Sequence, residues 1–405
     1  MSITEILEQY NIEQLKEYIG QLHLMTPSAN TKEAIVRELA AYLLRPNVMM
    51  ERLSVVSQED VDLFLAVLED EIEIDDDNAE GAVRLSELDY VAITEDGMII
   101  APDDVKEAFL EVDLSDFLEM RESNYWLRCC IGVLCTIYGA APREILYKLF
   151  CTRRGKSPSF EDFWALYRRL PQDLNPCIDD GETIFERFFA VDPSCMDKVR
   201  TQDPEMFYIP EREEIEEYAK NFCLIRDENY QGLFDFFKER TDEFDALHAV
   251  ADIYNRFAMG DDFADFPDFI ADWGIKLNNE VETKKLLDLV VGAYYNTRMQ
   301  EYQGYTKKEW IKLHGGDTAD IGTVIVAETE DMADTLSQYE DILTKCGFVV
   351  DYTTYATEIS SMVYPEGLDG DGAVLNTRKI YPKDICPCGS GKEYRFCCMR
   401  VDQND

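Results

Sequence analysis

The sequence predicts a mainly α-helical, multidomain α+β protein, and three observations carry that expectation. Apolar residues recur at helical spacing through stretches such as FDALHAVADIYNRFAMG and EVETKKLLDLVVGAYYNTRMQEY. Short alternating runs flank Asp96-Gly97, and a second turn, Asp179-Asp180-Gly181, follows another group of helices. Four of the twelve cysteines fall within CPCGSGKEYRFCC, residues 386–398, a segment too small to bury a core of its own. At 405 residues the chain exceeds the common domain size of about 100–150 residues, so several packed units are expected.

Hydrophobic residues at 46%, with 22 Tyr and 21 Phe, supply enough apolar area for packed cores. Lys and Arg total 39 against 82 Asp and Glu, a net charge of −43, so the surface repels nucleic acid and anionic lipid at long range. The start, MSITEILEQY, has neither a basic nor an apolar targeting region, and IGVLCTIYGAA at 131–141 falls short of the roughly 20 residues that span a bilayer. A cytoplasmic protein without membrane insertion is expected. Cys129, Cys130, Cys135, Cys151, Cys177, Cys195, Cys223 and Cys346 show no paired spacing and are read as reduced, mostly packed thiols.

Residues 1–50 read as a helix, extended loop, helix module. Helices over 11–20 and 31–44 flank HLMTPSAN, where Pro27 disfavours helix and Thr31 caps the second helix. This order resembles the SAP or Rho N-terminal type of nucleic-acid module near residues 9–45. Lys16, Lys32, Arg37 and Arg45 are matched there by Glu13, Glu17, Glu33 and Glu38. The basic face that such modules use is therefore missing, and a structural or protein-docking role is expected.

Residues 51–120 read as a winged-helix-like unit. SQEDVDLFLAVLED is a helix, EDEIEIDDDNAE a solvated connector with eight carboxylates in twelve residues, GAVRLSELDYV a short helix and YVAITEDGMIIAP a hairpin. Residues 121–220 repeat the order, with helices at 123–138, 142–150 and 160–170 ahead of the second turn. MIIAPDDVKEAF and FYIPEREEIEEYA echo each other as short strand, proline and acidic helix start. Residues 221–315 form a helical domain within a stretch, 211–310, that reads as helical throughout, with Phe266, Trp273, Tyr294 and Tyr295 in its core. Residues 316–375 are a small α+β segment of strand, amphipathic helix ending near Gly347, and strand. Residues 376–405 contain the thiol cluster.

That cluster is the one specific chemical motif. Cys386 and Cys388 are followed eight residues later by the adjacent pair Cys397 and Cys398. Four thiolates complete the tetrahedral shell of a structural Zn²⁺, and soft sulfur favours zinc over magnesium or calcium. GSGK superficially suggests a phosphate loop, but Cys386 stands where the first glycine is needed and Glu393 where Ser or Thr is needed. CPCGSGKEYRFCC closely resembles the SEC-C motif, the zinc knuckle of the SecA translocation ATPase and of many otherwise unrelated bacterial proteins. The resemblance implies Cys386, Cys388, Cys397 and Cys398 as ligands of Zn²⁺, and a docking surface for a chaperone-like protein or a ribosomal partner. Met399 replaces the usual glycine after the last ligand, and the acidic VDQND follows.

Between 378 and 400, Arg378, Lys379, Lys383, Lys392, Arg395 and Arg400 outnumber Asp384 and Glu393 by four, so the knuckle is a basic knob on an acidic body. Lys383, Lys392, Tyr394 and Arg395 are the candidate partner contacts. Such a knob suits an acidic protein surface, an RNA phosphate or the chain's own acidic domain. A second basic island at 141–170 holds Arg143, Lys148, Arg153, Arg154, Lys156, Arg168 and Arg169. Within it Arg153, Arg154, Lys156, Arg168 and Arg169 are candidate contacts for the alternative function, a nucleic-acid-binding regulator with a recognition helix near 160–170. His23, His248 and His314 are isolated, and no nucleophile elbow or dinucleotide fingerprint is present. A non-enzymatic protein is expected, with an enzyme of unrecognised class as a further alternative.

Overall fold

The structure is a computed structural model. It describes residues 1–405 except 26–30, 76, 188–201, 221–226, 262–265, 267–268, 271–272, 278, 315–323, 328–329, 352–356, 364–373, 382–383, 393, 395–396 and 399–405, with backbone alone at 330–331, 334, 357–363 and 374–379. The chain divides into two units, Met1–Cys223 and Leu224–Asp405. No described helix is long and apolar enough to cross a membrane.

The first unit opens with four helices, α1 (Ile3–Leu7), α2 (Ile12–Gln21), α3 (Lys32–Leu43) and α4 (Pro46–Leu53). Local chemistry starts them. Asn11 and Gln14 close a capping box at α2, Thr31 Oγ1 accepts from Ala34 N at 3.3 Å, and Pro46 opens α4. Leu15, Ile19, Ile35, Leu39 and Leu43 then pack into one core with Phe64, Leu85, Tyr90, Ile99 and Phe109. That core also receives residues of α5 (Gln58–Glu69), β1 (Ile72–Glu73), α6 (Ala79–Ser86), β3 (Met98–Ile100) and α7 (Asp103–Phe109), with β2 (Ala92–Ile93) pairing beside β3. The strands form an antiparallel sheet in the order β1-β3-β2. The acidic connector is thus only partly loop: Ile72 pairs with Ile99, and Ile74 N donates to Gly97 O at 2.8 Å. Ile72 and Ile74 alternate with the exposed carboxylates of Glu71, Glu73 and Asp75, a period-two signal that the density of charge conceals.

A long helix, α8 (Leu114–Ile137), leads into β4 (Ala140–Pro142), α9 (Arg143–Phe150), α10 (Phe160–Tyr167), β5 (Cys177–Asp179) and β6 (Thr183–Glu186). The second sheet has the order β4-β6-β5, and its turn is tied by Asp180 Oδ1, which accepts from Glu182 N and Thr183 N at 3.0 and 2.8 Å. The segment before α11 (Arg212–Lys220) does not join a sheet as the FYIP echo suggested. Phe207 instead packs edge-on against Tyr138, whose hydroxyl donates to Tyr208 O.

A buried polar cluster ties these elements together. Arg52, 1% exposed, donates from Nη1 to Asp173 and from Nη2 to Tyr18 Oη at 3.1 Å. The Tyr10 and Tyr18 hydroxyls donate in turn to Asp89 at 3.0 and 2.8 Å. Asp89 is fully buried, and burial raises its carboxyl above the ordinary value of 3.8.

The second unit contains α12 (Glu228–Lys238), α13 (Glu243–Met259), α14 (Glu280–Asn296) and α15 (Lys307–Leu313). The reading of 211–310 as helical throughout is corrected between α14 and α15, where Arg298 and Thr306 form an isolated antiparallel bridge. Polar residues there satisfy backbone groups: Arg298 Nη1 donates to Gly304 O at 3.1 Å and to Glu309 Oε2 at 2.9 Å, and Thr306 and Glu309 form a capping box. Phe266, Tyr294 and Tyr295 are buried as expected. Trp273 is half-exposed, with Nε1 donating to Asp252 at 3.2 Å. Gly232 and Gly292 lie where α12 and α14 approach closely, since a Cβ on Gly232 would meet the Leu289 side chain and one on Gly292 would meet Asn229. Gly232→Ala and Gly292→Ala are each expected to cost about 1–3 kcal/mol by overpacking, measured by urea unfolding.

Beyond the helices, β7 (Val324–Val326) and β8 (Val349–Asp351) pair in parallel across the crossover helix α16 (Glu330–Lys345). A final antiparallel pair, β9 (Thr357–Val363) and β10 (Val374–Ile380), runs in register from Val374↔Val363 to Ile380↔Thr357. Ile380 delivers the chain to the thiol cluster.

Candidate metal centre

Short-range hydrogen bonds fold residues 381–398 back on themselves. Asp384 works twice: its side chain accepts from Tyr381 N at 2.8 Å, and its carbonyl accepts from Tyr394 N at 2.8 Å. Cys386 N donates to Lys392 O at 2.8 Å, closing the loop that carries Cys388. Gly389 and Gly391 hold φ of +79° and +72°, a left-handed conformation that glycine adopts without a Cβ penalty. Cys397 N donates to Tyr394 O at 3.0 Å and so brings the second cysteine pair round to the first.

The four sulfurs of Cys386, Cys388, Cys397 and Cys398 all lie within 4.8 Å of one another. The Cys388–Cys397 and Cys397–Cys398 separations are 3.3 and 4.0 Å. A tetrahedral shell with metal–sulfur bonds of about 2.3 Å places its sulfurs about 3.8 Å apart, so the set fits a metal ion with little movement. The donor set is sulfur alone. Ser390 Oγ lies 3.3 Å from Cys397 Sγ, and hydrogen bonding, first from Ser390 and then from the Cys386 and Cys397 thiols, draws the Cys388 thiol down to about 6. Cys398 is pushed up to about 12, chiefly by hydrogen bonds with Cys386 and Cys388. Metal binding at such a set displaces thiol protons.

The site has an inside and an outside. Cys386, Tyr394 and Ile380, each 1% exposed, form a small apolar cluster against which Cys397 and Cys398 pack. Pro387, Cys388, Gly389, Ser390, Gly391 and Lys392 face solvent, as does Ile385. Tyr394 therefore belongs to the knuckle's interior and is not a contact surface, a correction to its expected role: the ring supplies apolar area that thiols and glycines cannot. Lys392 is exposed as a contact residue must be. Lys383 and Arg395, with Arg400, lie outside the described residues, as do the side chains of Arg378 and Lys379. Sequence reasoning missed Asp384, Ser390 and Ile380. Ser390 was visible within CPCGSG, whereas the roles of Asp384 and Ile380 depend on how the chain enters the loop.

The basic island at 141–170 divides in two. Arg143 Nε lies 3.2 Å from Asp179, with its guanidinium over the Trp164 ring, and Lys148 pairs with Glu205 at 2.7 Å. Arg153 stacks over Phe150 and donates to Ser123 Oγ at 2.9 Å. Arg154, Lys156, Arg168 and Arg169 are exposed, and Arg169 acts electrostatically on Glu51. Three of the island's seven cations are thus neutralised or stacked within the fold, and α10 presents Glu161 and Asp162 in its first turn. Elsewhere, Cys135 and Cys177 bring their sulfurs to 3.5 Å, and Cys195 and Cys223 lie outside the described residues.

Residues 383–400 match the model of the SEC-C motif. No curated protein and no solved structure matches the chain. The matched segment encloses all four converging thiols, so the candidate metal site and the motif are the same feature.

Proposed function

We propose that the SEC-C segment binds one structural Zn²⁺ through Cys386, Cys388, Cys397 and Cys398, and that the resulting knuckle docks a chaperone-like protein or a ribosomal partner. The rest of the chain acts as a non-enzymatic scaffold in the cytoplasm, with its two three-stranded sheets and their helices serving as winged-helix-like structural units. The observation that carries this reading is a four-thiol set on a solvent-facing loop, backed by Tyr394 and Ile380. An all-sulfur tetrahedral set favours zinc, and a closed shell is structural because it leaves no position for substrate. Ile385, 72% exposed beside a buried ligand, and the exposed Lys392 supply the apolar and cationic contacts of a docking face.

Co-sedimentation with purified ribosomes and quantitative pull-down from a cell lysate test this, comparing the intact chain with one truncated before Cys386. The intact chain is expected to retain a partner that the truncated chain loses. Equal recovery by both removes the docking role.

A further inference from the structure

Leu110, Leu114 and Leu118 are 83, 55 and 62% exposed, and among the described residues no other three large apolar side chains this exposed fall at successive fourth positions. Leu110 caps α7, while Leu114 and Leu118 lie about 40° apart on α8, one turn above the other. The inner side of α8 is already occupied, with Phe117 and Arg121 buried. Single exposed leucines are ordinary on protein surfaces, but two on one helix face, with a third ending the preceding helix and charge around them, mark an interaction surface.

The rim is acidic on both sides. Asp116, Glu119 and Glu122 are exposed along α8. Arg121 Nη2 donates to Gln58 Oε1 at 3.2 Å, so the start of α5, with its exposed Glu59 and Asp62, borders this part of α8. Arg121, the cation in this stretch of α8, is turned inward and donates to Leu53 O and Val56 O at 3.1 Å. Two copies of this face would oppose carboxylate to carboxylate, so self-pairing is disfavoured. A helix carrying apolar anchors at i and i+4 with Lys or Arg beside them matches both the spacing and the charge. We infer that the row of Leu110, Leu114 and Leu118 docks a basic amphipathic helix of a partner protein.

The probe is a fluorescein-labelled peptide of about five helical turns, with leucines on one face and lysines on the other. Its binding to the full chain is followed by fluorescence anisotropy at physiological salt. Binding is expected to weaken by about tenfold or more both in a Leu110→Ser, Leu114→Ser, Leu118→Ser triple variant and in a Glu119→Lys, Glu122→Lys variant. The altered side chains face solvent, so helicity and unfolding midpoint should match the parent, and the charge variant tests the surface independently of the leucines. Unchanged affinity in the leucine variant overturns the proposal, because attraction is then only electrostatic. Equal binding of a peptide with glutamate in place of lysine overturns it too. So does a dimer that the leucine variant dissociates in sedimentation velocity, since a second copy would then cover the row.

Discussion

Replacing Cys397 and Cys398 together by serine is expected to take the zinc content from one ion per chain to none, read by elemental analysis of the purified protein. Structural zinc in peptide-sized sites contributes an apparent 10–16 kcal/mol or thereabouts near neutral pH, and that energy is also the folding energy of the segment. The apolar cluster here consists of Ile380, Tyr394 and Cys386, with Cys397 and Cys398 packed on it, so little else holds the loop once two ligands are gone. The first unit, whose core is made of its own residues, should keep its thermal midpoint in the same variant. Full zinc content in the double variant would refute the ligand assignment.

Arg52→Ala is expected to destabilise the first unit by about 3–5 kcal/mol in urea unfolding, the cost of leaving a buried charge without its counterion. Arg52 and Asp173 have side chains only 1 and 5% exposed, so water cannot easily replace the lost partner. Removing both charges, as in Arg52→Met with Asp173→Leu, should recover most of the loss, because a well-packed apolar pair is often neutral against a buried ion pair. A loss below about 1 kcal/mol in the single variant would indicate that the pair is solvated. The same cluster has a pH signature. Because burial raises Asp89 above 3.8, its contribution is fully present below that value and is lost as pH rises through the raised one. The stability of Asp89→Asn relative to the parent should therefore increase from acid toward neutral pH.

What could be read from the sequence was local. Thr31 announced a helix start, and Asp96-Gly97 a hairpin, because the groups that satisfy each other lie within eight residues. The thiol cluster was legible for the same reason: its four cysteines fall within one short loop, so spacing alone foreshadowed convergence. The Arg52 and Asp173 pair is 121 residues apart, and no periodicity connects its members. Strand β1 was hidden because carboxylates dominate a segment whose two isoleucines decide its conformation. An aromatic among basic residues, Tyr394 reads from the sequence as a contact. In the fold it turns inward and, with Ile380, supplies the apolar area beneath the cysteines.

One junction gives the knuckle a mechanical character. Ile380 is both the last paired residue of β10, opposite Thr357, and a member of the cluster beneath the thiols. A pull on a docked knuckle enters the hairpin at its open end, where antiparallel rungs break singly and in sequence. With a metal bound, metal–thiolate bonds would resist such a load better than single backbone hydrogen bonds do. Were the knuckle to dock as proposed, the hairpin would peel first, and β9 and β10 would lengthen by about 3.3 Å per residue. On that reading the hairpin is a yielding strap between the knuckle and the helices before it.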